Sequence, residues 1–195
     1  MRLLIMIFAA LLYSASLFAQ GSTAIQLGYS GELGFHPGLQ LGYEYTANSW
    51  PKSKKNGNKR QKSLVWQGSI SQIWHPETRS FTFIEGGVYY RTLKPSGFTR
   101  QWSFRIGGSF IENAGTTYVE QEDGSAEGFQ FAGYTYAALS LGYGWGYDFR
   151  AKRDLPLAVI LQPQASFLFG YNQTVLPLLR VELGLRYYLN SNAKS

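Results

Sequence analysis

The stretch Val175-Leu176-Pro177-Leu178-Leu179-Arg180-Val181-Glu182-Leu183-Gly184-Leu185-Arg186-Tyr187-Tyr188-Leu189 decides the fold. Val175, Leu179, Val181, Leu183, Leu185, Tyr187 and Leu189 share one parity; Arg180, Glu182, Gly184, Arg186 and Tyr188 share the other. Side chains alternate faces along a strand. This strand therefore has one continuous apolar face and one face of charged and small residues. A barrel wall in lipid has that pattern, with the apolar face turned outward.

The same period of two recurs upstream. In Leu157 to Tyr171, Leu157, Val159, Leu161, Phe167 and Phe169 oppose Gln162, Gln164 and Ser166. In Tyr136 to Phe149, Ala137, Leu139, Leu141, Tyr143, Trp145, Tyr147 and Phe149 oppose a face rich in Gly and Ser that ends in Asp148. Arg100 to Phe110 sets Trp102, Phe104, Ile106 and Phe110 against Gln101, Ser103, Arg105, Gly107 and Ser109. Gly38 to Thr46 sets Leu39, Leu41, Tyr43 and Tyr45 against Gln40, Gly42, Glu44 and Thr46. Two strands are less regular. Gln72 joins the apolar set of Ser63 to Trp74, and Ser80 to Arg91 changes phase near Phe83 and Ile84, which suggests a bulge.

Composition agrees with a barrel in lipid. Charged residues make up 15% of the chain and aromatics 16%, with 22 Gly, whereas a soluble domain carries about 25% charge. Tyr and Trp gather near strand ends, where an apolar body and a polar tip suit the membrane interface. After the N-terminus no segment approaches about 18 consecutive apolar residues, which argues against a helical bundle. Cysteine is absent, so disulfides and thiolate chemistry are excluded.

The N-terminus reads as a secretory signal over residues 1–19. Arg2 is followed by an apolar run from Leu3 to Leu12, then by the small residues Ser14, Ala15, Ser16 and Ala19. Cleavage is expected after Ala19. The net charge of +6 and pI near 9.5 could suit nucleic acid. Export argues against that partner and for the phosphates of a membrane surface, lipopolysaccharide included.

Seven strands are clear, and bacterial single-chain barrels are usually even-numbered. Thr116 to Gln121 can supply the eighth, in a hairpin turning at Asp123-Gly124. That choice keeps the periplasmic turns short (His75 to Arg79, Asn113 to Gly115, Ala151 to Leu155) and puts Lys52 to Lys62 outside the cell. Ala24 to Ser30 is the alternative first strand, at the expense of a long periplasmic basic loop. The first arrangement is preferred. It makes residues 20–37 a periplasmic or plug segment, 38–189 the barrel and 190–195 a tail.

Three stretches carry a resemblance. His36-Pro37-Gly38-Leu39-Gln40-Leu41-Gly42-Tyr43-Glu44-Tyr45 is similar to the opening of small outer-membrane β-barrel proteins common in Bacteroidota. Gly144-Trp145-Gly146-Tyr147-Asp148-Phe149 resembles a later strand of such proteins, and Val181 to Leu189 their closing strand. The resemblance implies an all-β antiparallel transmembrane barrel of about eight strands in the outer membrane, inserted by the barrel assembly machinery. It implies no reaction and no cofactor, since members of this kind are mostly uncharacterised.

Catalysis finds little support. Lipid A deacylases need a Ser nucleophile, a His base and an orienting acid. The two histidines, His36 and His75, each precede Pro and read as turn residues. No Ser lies two residues from either, as a deacylase motif would require. With the histidines far apart in sequence and no Cys, a zinc site would need carboxylates from distant strands. The acidic stretch Glu120, Glu122, Asp123, Glu127 reads as a solvated turn.

Two charge groups remain. Glu44, Glu85, Arg105, Arg180, Glu182 and Arg186 all fall on inward faces. Unpaired ions there would be very costly, and an eight-stranded interior is just wide enough for side chains to fill. A packed ionic core is expected in preference to a pore. Lys52, Lys54, Lys55, Lys59, Arg60 and Lys62 form a basic loop with no intervening acid, suited to lipid phosphates or an acidic partner. The expected role is structural or surface-binding. The alternative is a small pore or an accessory to a larger membrane transporter.

Overall fold

A computed structural model describes residues 22–32, 36–53, 59–75, 79–113, 116–120, 126–130, 133–171 and 174–189. The expected signal segment, the cleavage point after Ala19 and the 190–195 tail lie outside them. The described residues form ten strands: β1 (Thr23–Glu32), β2 (Gly38–Ser53), β3 (Lys59–His75), β4 (Arg79–Leu93), β5 (Phe98–Asn113), β6 (Thr116–Glu120), β7 (Ala126–Gln130), β8 (Gly133–Asp148), β9 (Leu157–Tyr171) and β10 (Thr174–Tyr188). Eight of them close a ring in the order β1-β10-β9-β8-β5-β4-β3-β2, while β6 and β7 pair only with each other. A four-residue helix, α1 (Arg150–Arg153), lies between β8 and β9. Among the described residues no helix is long and apolar enough to cross a membrane; the crossing elements are strands.

The alternation read from the sequence is the alternation of the wall. On β10, Leu179, Leu183, Leu185 and Tyr187 are exposed, and Arg180, Glu182 and Arg186 are buried at 1% exposure each. Leu27, Leu39, Leu41, Ile70, Ile84, Trp102, Ile106 and Leu161 continue the exposed apolar belt around the other strands. Apolar side chains outside and ions inside invert the arrangement of a water-soluble barrel. Burial drives folding here only if the outer face meets hydrocarbon.

Three expectations are corrected. First, the strand that completes the ring is the alternative one. Ala24 to Ser30 lies within β1, which pairs with β10 from Ala24↔Tyr188 to Glu32↔Arg180 and with β2 from Thr23↔Tyr45 to Tyr29↔Leu39. Thr23–Glu32, within the segment expected as a plug, is therefore part of the wall, and Thr116–Glu120 is not. Among the described residues β6 pairs only with the five-residue β7, while β5 pairs directly with β8. The physical reason is length: β6 is 5 residues, and a membrane strand needs about 9–11.

Second, β4 has no bulge. Its pairing with β3 and with β5 runs without a shift from Arg79 to Leu93. Phe81, Phe83, Glu85, Tyr89 and Arg91 are all buried in one unbroken phase. Inward-facing Phe produced the apparent phase change. Register shifts lie instead in β2, between Thr46 and Asn48, and at the start of β10, between Thr174 and Val175.

Third, the basic segment is mostly strand. Lys52 pairs with Arg60, Ser53 with Lys59 and Trp50 with Lys62 across β2–β3; Lys54 and Lys55 lie outside the described residues. Because the ring is antiparallel, the turns after β2, β4 and β8 share one end of the barrel with both chain termini. The turns after β1, β3 and β9 and the β6–β7 insertion share the other end.

Candidate functional site: the barrel interior

The interior is built in three layers. Toward the end opposite the termini, Ile73, Phe81, Phe83, Ile111, Ala138, Leu168 and Leu178 form an apolar layer, with Tyr136, Tyr171 and Leu176 packed against it. Phe81 and Phe83 are near-parallel with ring centroids 6.2 Å apart. The guanidinium of Arg180 sits 3.9 Å from the Phe83 centroid, so a cation–π contact joins this layer to the ionic one below.

The middle layer holds all six inward charges named from the sequence. Arg105 donates from Nη1 to Glu182 Oε1 and from Nη2 to Oε2, both at 2.7 Å. This is the two-pronged geometry that gives Arg–carboxylate pairs their strength. Arg180 Nη2 reaches Glu85 Oε2 at 2.6 Å, and Arg105 Nη1 lies 3.9 Å from the same oxygen. Ser140 donates to Glu85 Oε1, and Arg180 Nε donates to Ser166 Oγ at 2.8 Å. A second cluster centres on Glu44. Arg186 Nη2 meets its Oε1 at 2.6 Å, and Arg91 Nη2 meets its Oε2 at 2.6 Å. Gln101 Oε1 accepts from Arg91 Nε at 3.2 Å and from Arg186 Nη2 at 3.3 Å.

Nearer the termini, Gln101 Nε2 donates to Gln162 Oε1 at 2.6 Å and Gln162 Nε2 to Ser103 Oγ at 3.0 Å. Ala24, Ala158 and Tyr188 then close the lumen. The Tyr188 hydroxyl donates to Asp148 Oδ2 at 3.0 Å. Arg150, from α1, forms an ion pair with Asp148 at 2.7 Å and lies 3.1 Å above the Tyr188 ring.

Glycines on the inner faces make room for these long side chains. A Cβ at Gly142 would stand 2.9 Å from Gln162 Nε2, and one at Gly144 would stand 3.1 Å from both Gln101 and Gln162. Each Gly thus leaves the volume that a neighbouring strand's Gln occupies.

Sequence reasoning missed Arg91, Gln101, Gln162 and the Asp148–Arg150–Tyr188 group as partners. Arg91 shares the parity of Glu85 on β4, which was a usable signal. Arg150 lies beyond the strand and returns through α1, so no periodicity marks it. The basic segment does not join the interior. Lys62 donates to the Tyr90 hydroxyl on the outer wall and lies 4.9 Å from the Tyr90 ring centroid, with Trp50 6.3 Å from the same ring. The two histidines are not apart, as their sequence separation suggested: their rings stack at 3.6 Å at the rim opposite the termini. The side chains of the acidic stretch from Glu120 to Glu127 lie outside the described residues.

No family model matches the sequence, and no curated protein is significantly similar to it. Among solved structures the chain is similar to Neisserial surface protein A. The TM-score is 0.51 at 13% identity, over 86% of this chain and 94% of that one. The Yersinia pestis outer membrane protein Ail, in a phospholipid bilayer nanodisc, aligns at a TM-score of 0.45 and 12% identity, over 87% of this chain and 99% of that one. At such identity the first likeness shows the fold, an eight-stranded outer-membrane-type barrel, and nothing finer.

Proposed function

We propose that the protein resides in the outer membrane of a Gram-negative cell, is exported by its cleaved N-terminal segment, and acts as a sealed barrel. Its role is structural or surface-binding, exerted through its ends; it is neither a channel nor an enzyme. The observation that carries this reading is the filled interior. Arg105, Arg180, Arg186, Glu44 and Glu182 are each 1% exposed and Tyr89 is 0% exposed. A water-sized sphere therefore finds almost no surface on the ionic layer, whereas a pore would leave these groups hydrated. The apolar layer above and the Tyr188–Arg150 closure below add two further barriers.

The two ends differ. The end with the termini carries Lys52, Lys59, Arg60, Lys62 and Lys94, and the pairing of β2 with β3 holds four of these close together. An exported chain reaches the outer membrane from the periplasm, so the end with the termini is the one that stays there. The expected partner of these cations then shifts from lipopolysaccharide to the anionic phospholipid headgroups of the periplasmic leaflet.

Planar-bilayer recording of the purified barrel tests the reading. No steady conductance steps are expected, from the native chain or from Glu85→Gln. Steady steps whose ion selectivity changes in Glu85→Gln would establish a water-filled lumen and overturn it.

A further inference from the structure

We propose that Glu32, His36 and His75 form a binding site for one divalent transition-metal ion of the zinc type, at the rim opposite the chain termini. The three residues come from two turns that the barrel brings side by side. Glu32 ends β1 and His75 ends β3. His36 is held against Glu32 by a backbone bridge, with Glu32 N to His36 O at 3.2 Å and His36 N to Glu32 O at 3.4 Å.

The donor atoms converge. His75 Nε2 lies 3.0 Å, and His36 Nδ1 3.5 Å, from the same carboxylate oxygen, Glu32 Oε2. All three donor atoms lie within 4.8 Å of one another. Zinc bonds to N and O are about 2.0–2.1 Å, which sets the edge of a tetrahedral ligand cage at about 3.3–3.4 Å. The observed 3.0 and 3.5 Å bracket that edge for the two His–Glu pairs, and the stacked rings, 14° from parallel, must tilt apart for both nitrogen lone pairs to meet one ion.

The alternative is a metal-free stack of two imidazoles against a carboxylate. It leaves two polar atoms unexplained. His36 Nδ1 and His75 Nε2 are buried, and their 3.5 and 3.0 Å contacts to Glu32 Oε2 lack the alignment of a full hydrogen bond. The His75 side chain is only 10% exposed, and a buried unsatisfied nitrogen is costly. A shared metal satisfies both nitrogens at once.

Glu32 is the anion of the site, in contact with both histidines. Arg79 is a nearby positive charge that works against a cation at His75; it donates to the Tyr171 hydroxyl at 2.8 Å and packs its guanidinium 5.2 Å from the Phe81 ring centroid. Phe81 backs the His75 ring at 4.9 Å and helps hold its orientation. With His36 35% and Glu32 23% exposed, an ion can enter from solvent. Three protein donors leave a fourth position for water or for a donor from another molecule.

The test uses the full mature chain, without a polyhistidine tag, folded in detergent micelles or vesicles. Zn2+ titration by calorimetry is expected to give one ion per barrel. Co2+ is expected to give the intense visible absorption of a tetrahedral site, displaced by Zn2+. Loss of an outer-shell partner alone lowers metal affinity about 10–100-fold, so His36→Gln and His75→Gln should each weaken Zn2+ binding at least about tenfold. Glu32→Gln should do the same. Folding of each variant in EDTA is verified by heat-modifiable gel mobility. Failure of a variant to fold leaves the Co2+ spectrum of the native chain as the deciding readout. Absence of stoichiometric Zn2+ binding overturns the proposal. So does a weak, octahedral-type Co2+ spectrum, or undiminished affinity in a folded His36→Gln, His75→Gln double variant.

Discussion

Removing one partner of the Arg105–Glu182 pair should cost most of what any single interior change can cost, and removing both should cost less than the sum. Both side chains are 1% exposed and are joined by two bonds of 2.7 Å. Breaking a buried pair leaves an uncompensated ion, a loss of about 3–5 kcal/mol. The structure ranks the two single changes within that range. In Glu182→Gln, Arg105 retains Glu85 at 3.9 Å and the Tyr89 ring at 5.4 Å, which places the loss near 3 kcal/mol. In Arg105→Gln, Glu182 retains only the Gln40 amide. Its nitrogen, assigned to the carboxylate side, lies 3.1 and 3.3 Å from the oxygens, which places the loss nearer 5 kcal/mol. The double variant removes both charges and should fall below the sum by about 2–3 kcal/mol. Reversible urea unfolding in lipid vesicles, followed by tryptophan fluorescence, measures all four corners of the cycle. Additivity within about 0.5 kcal/mol, or single losses below about 1 kcal/mol, would refute a desolvated network and imply a hydrated lumen.

Other perturbations probe the wall. Leu183 lies near the middle of β10 with its side chain outward, so Leu183→Arg should lose about 2–4 kcal/mol in vesicle unfolding. Gly184→Ser should lose less, because a Cβ there meets only the flexible Gln26 side chain at 3.0–3.4 Å. Gly107→Ala should destabilise by about 1–3 kcal/mol, since its Cβ would collide with the Ile84 carbonyl and stand 2.8 Å from Glu85 Cα. Gly68→Ala, with nothing within 4 Å of its Cβ, should change stability by at most about 0.5 kcal/mol. Replacing residues 114–132 with a short turn should leave a heat-modifiable barrel on gels, because β5 already pairs directly with β8.

Much of the wall was legible because lipid on one side and packed ions on the other impose a period of two that soluble strands seldom show so fully. β9 was read to the residue, and β8 and β10 to within three residues at each end. Legibility failed where the lumen itself turns apolar. Phe81 and Phe83 face inward to close the barrel, and a rule that sends every large apolar residue outward turns them into a bulge. The first strand was set aside because it places a long basic loop on the periplasmic side, against the rule of short periplasmic turns; much of that loop is in fact strand, with β2 and β3 paired out to Ser53↔Lys59. The inward charges could be assigned to a face but not to partners, because partnership depends on barrel stagger. Glu182 of β10 meets Arg105 of β5 across the lumen, and no sequence spacing encodes that. The stacked histidines have the same origin: two His-Pro turns 39 positions apart become neighbours only when β1, β2 and β3 close side by side.

The central claim is that lipid covers the outside of the barrel and side chains fill its inside. The absence of cysteine allows a direct measurement with single introduced thiols in folded, vesicle-inserted protein. Leu183→Cys and Leu185→Cys, labelled with a fluorophore, should be quenched by brominated lipid. Ser140→Cys and Gly184→Cys should resist a small charged aqueous thiol reagent until the barrel is unfolded. Lumen thiols that react in the folded state as fast as in the unfolded one, or wall labels indifferent to brominated lipid, would contradict the account.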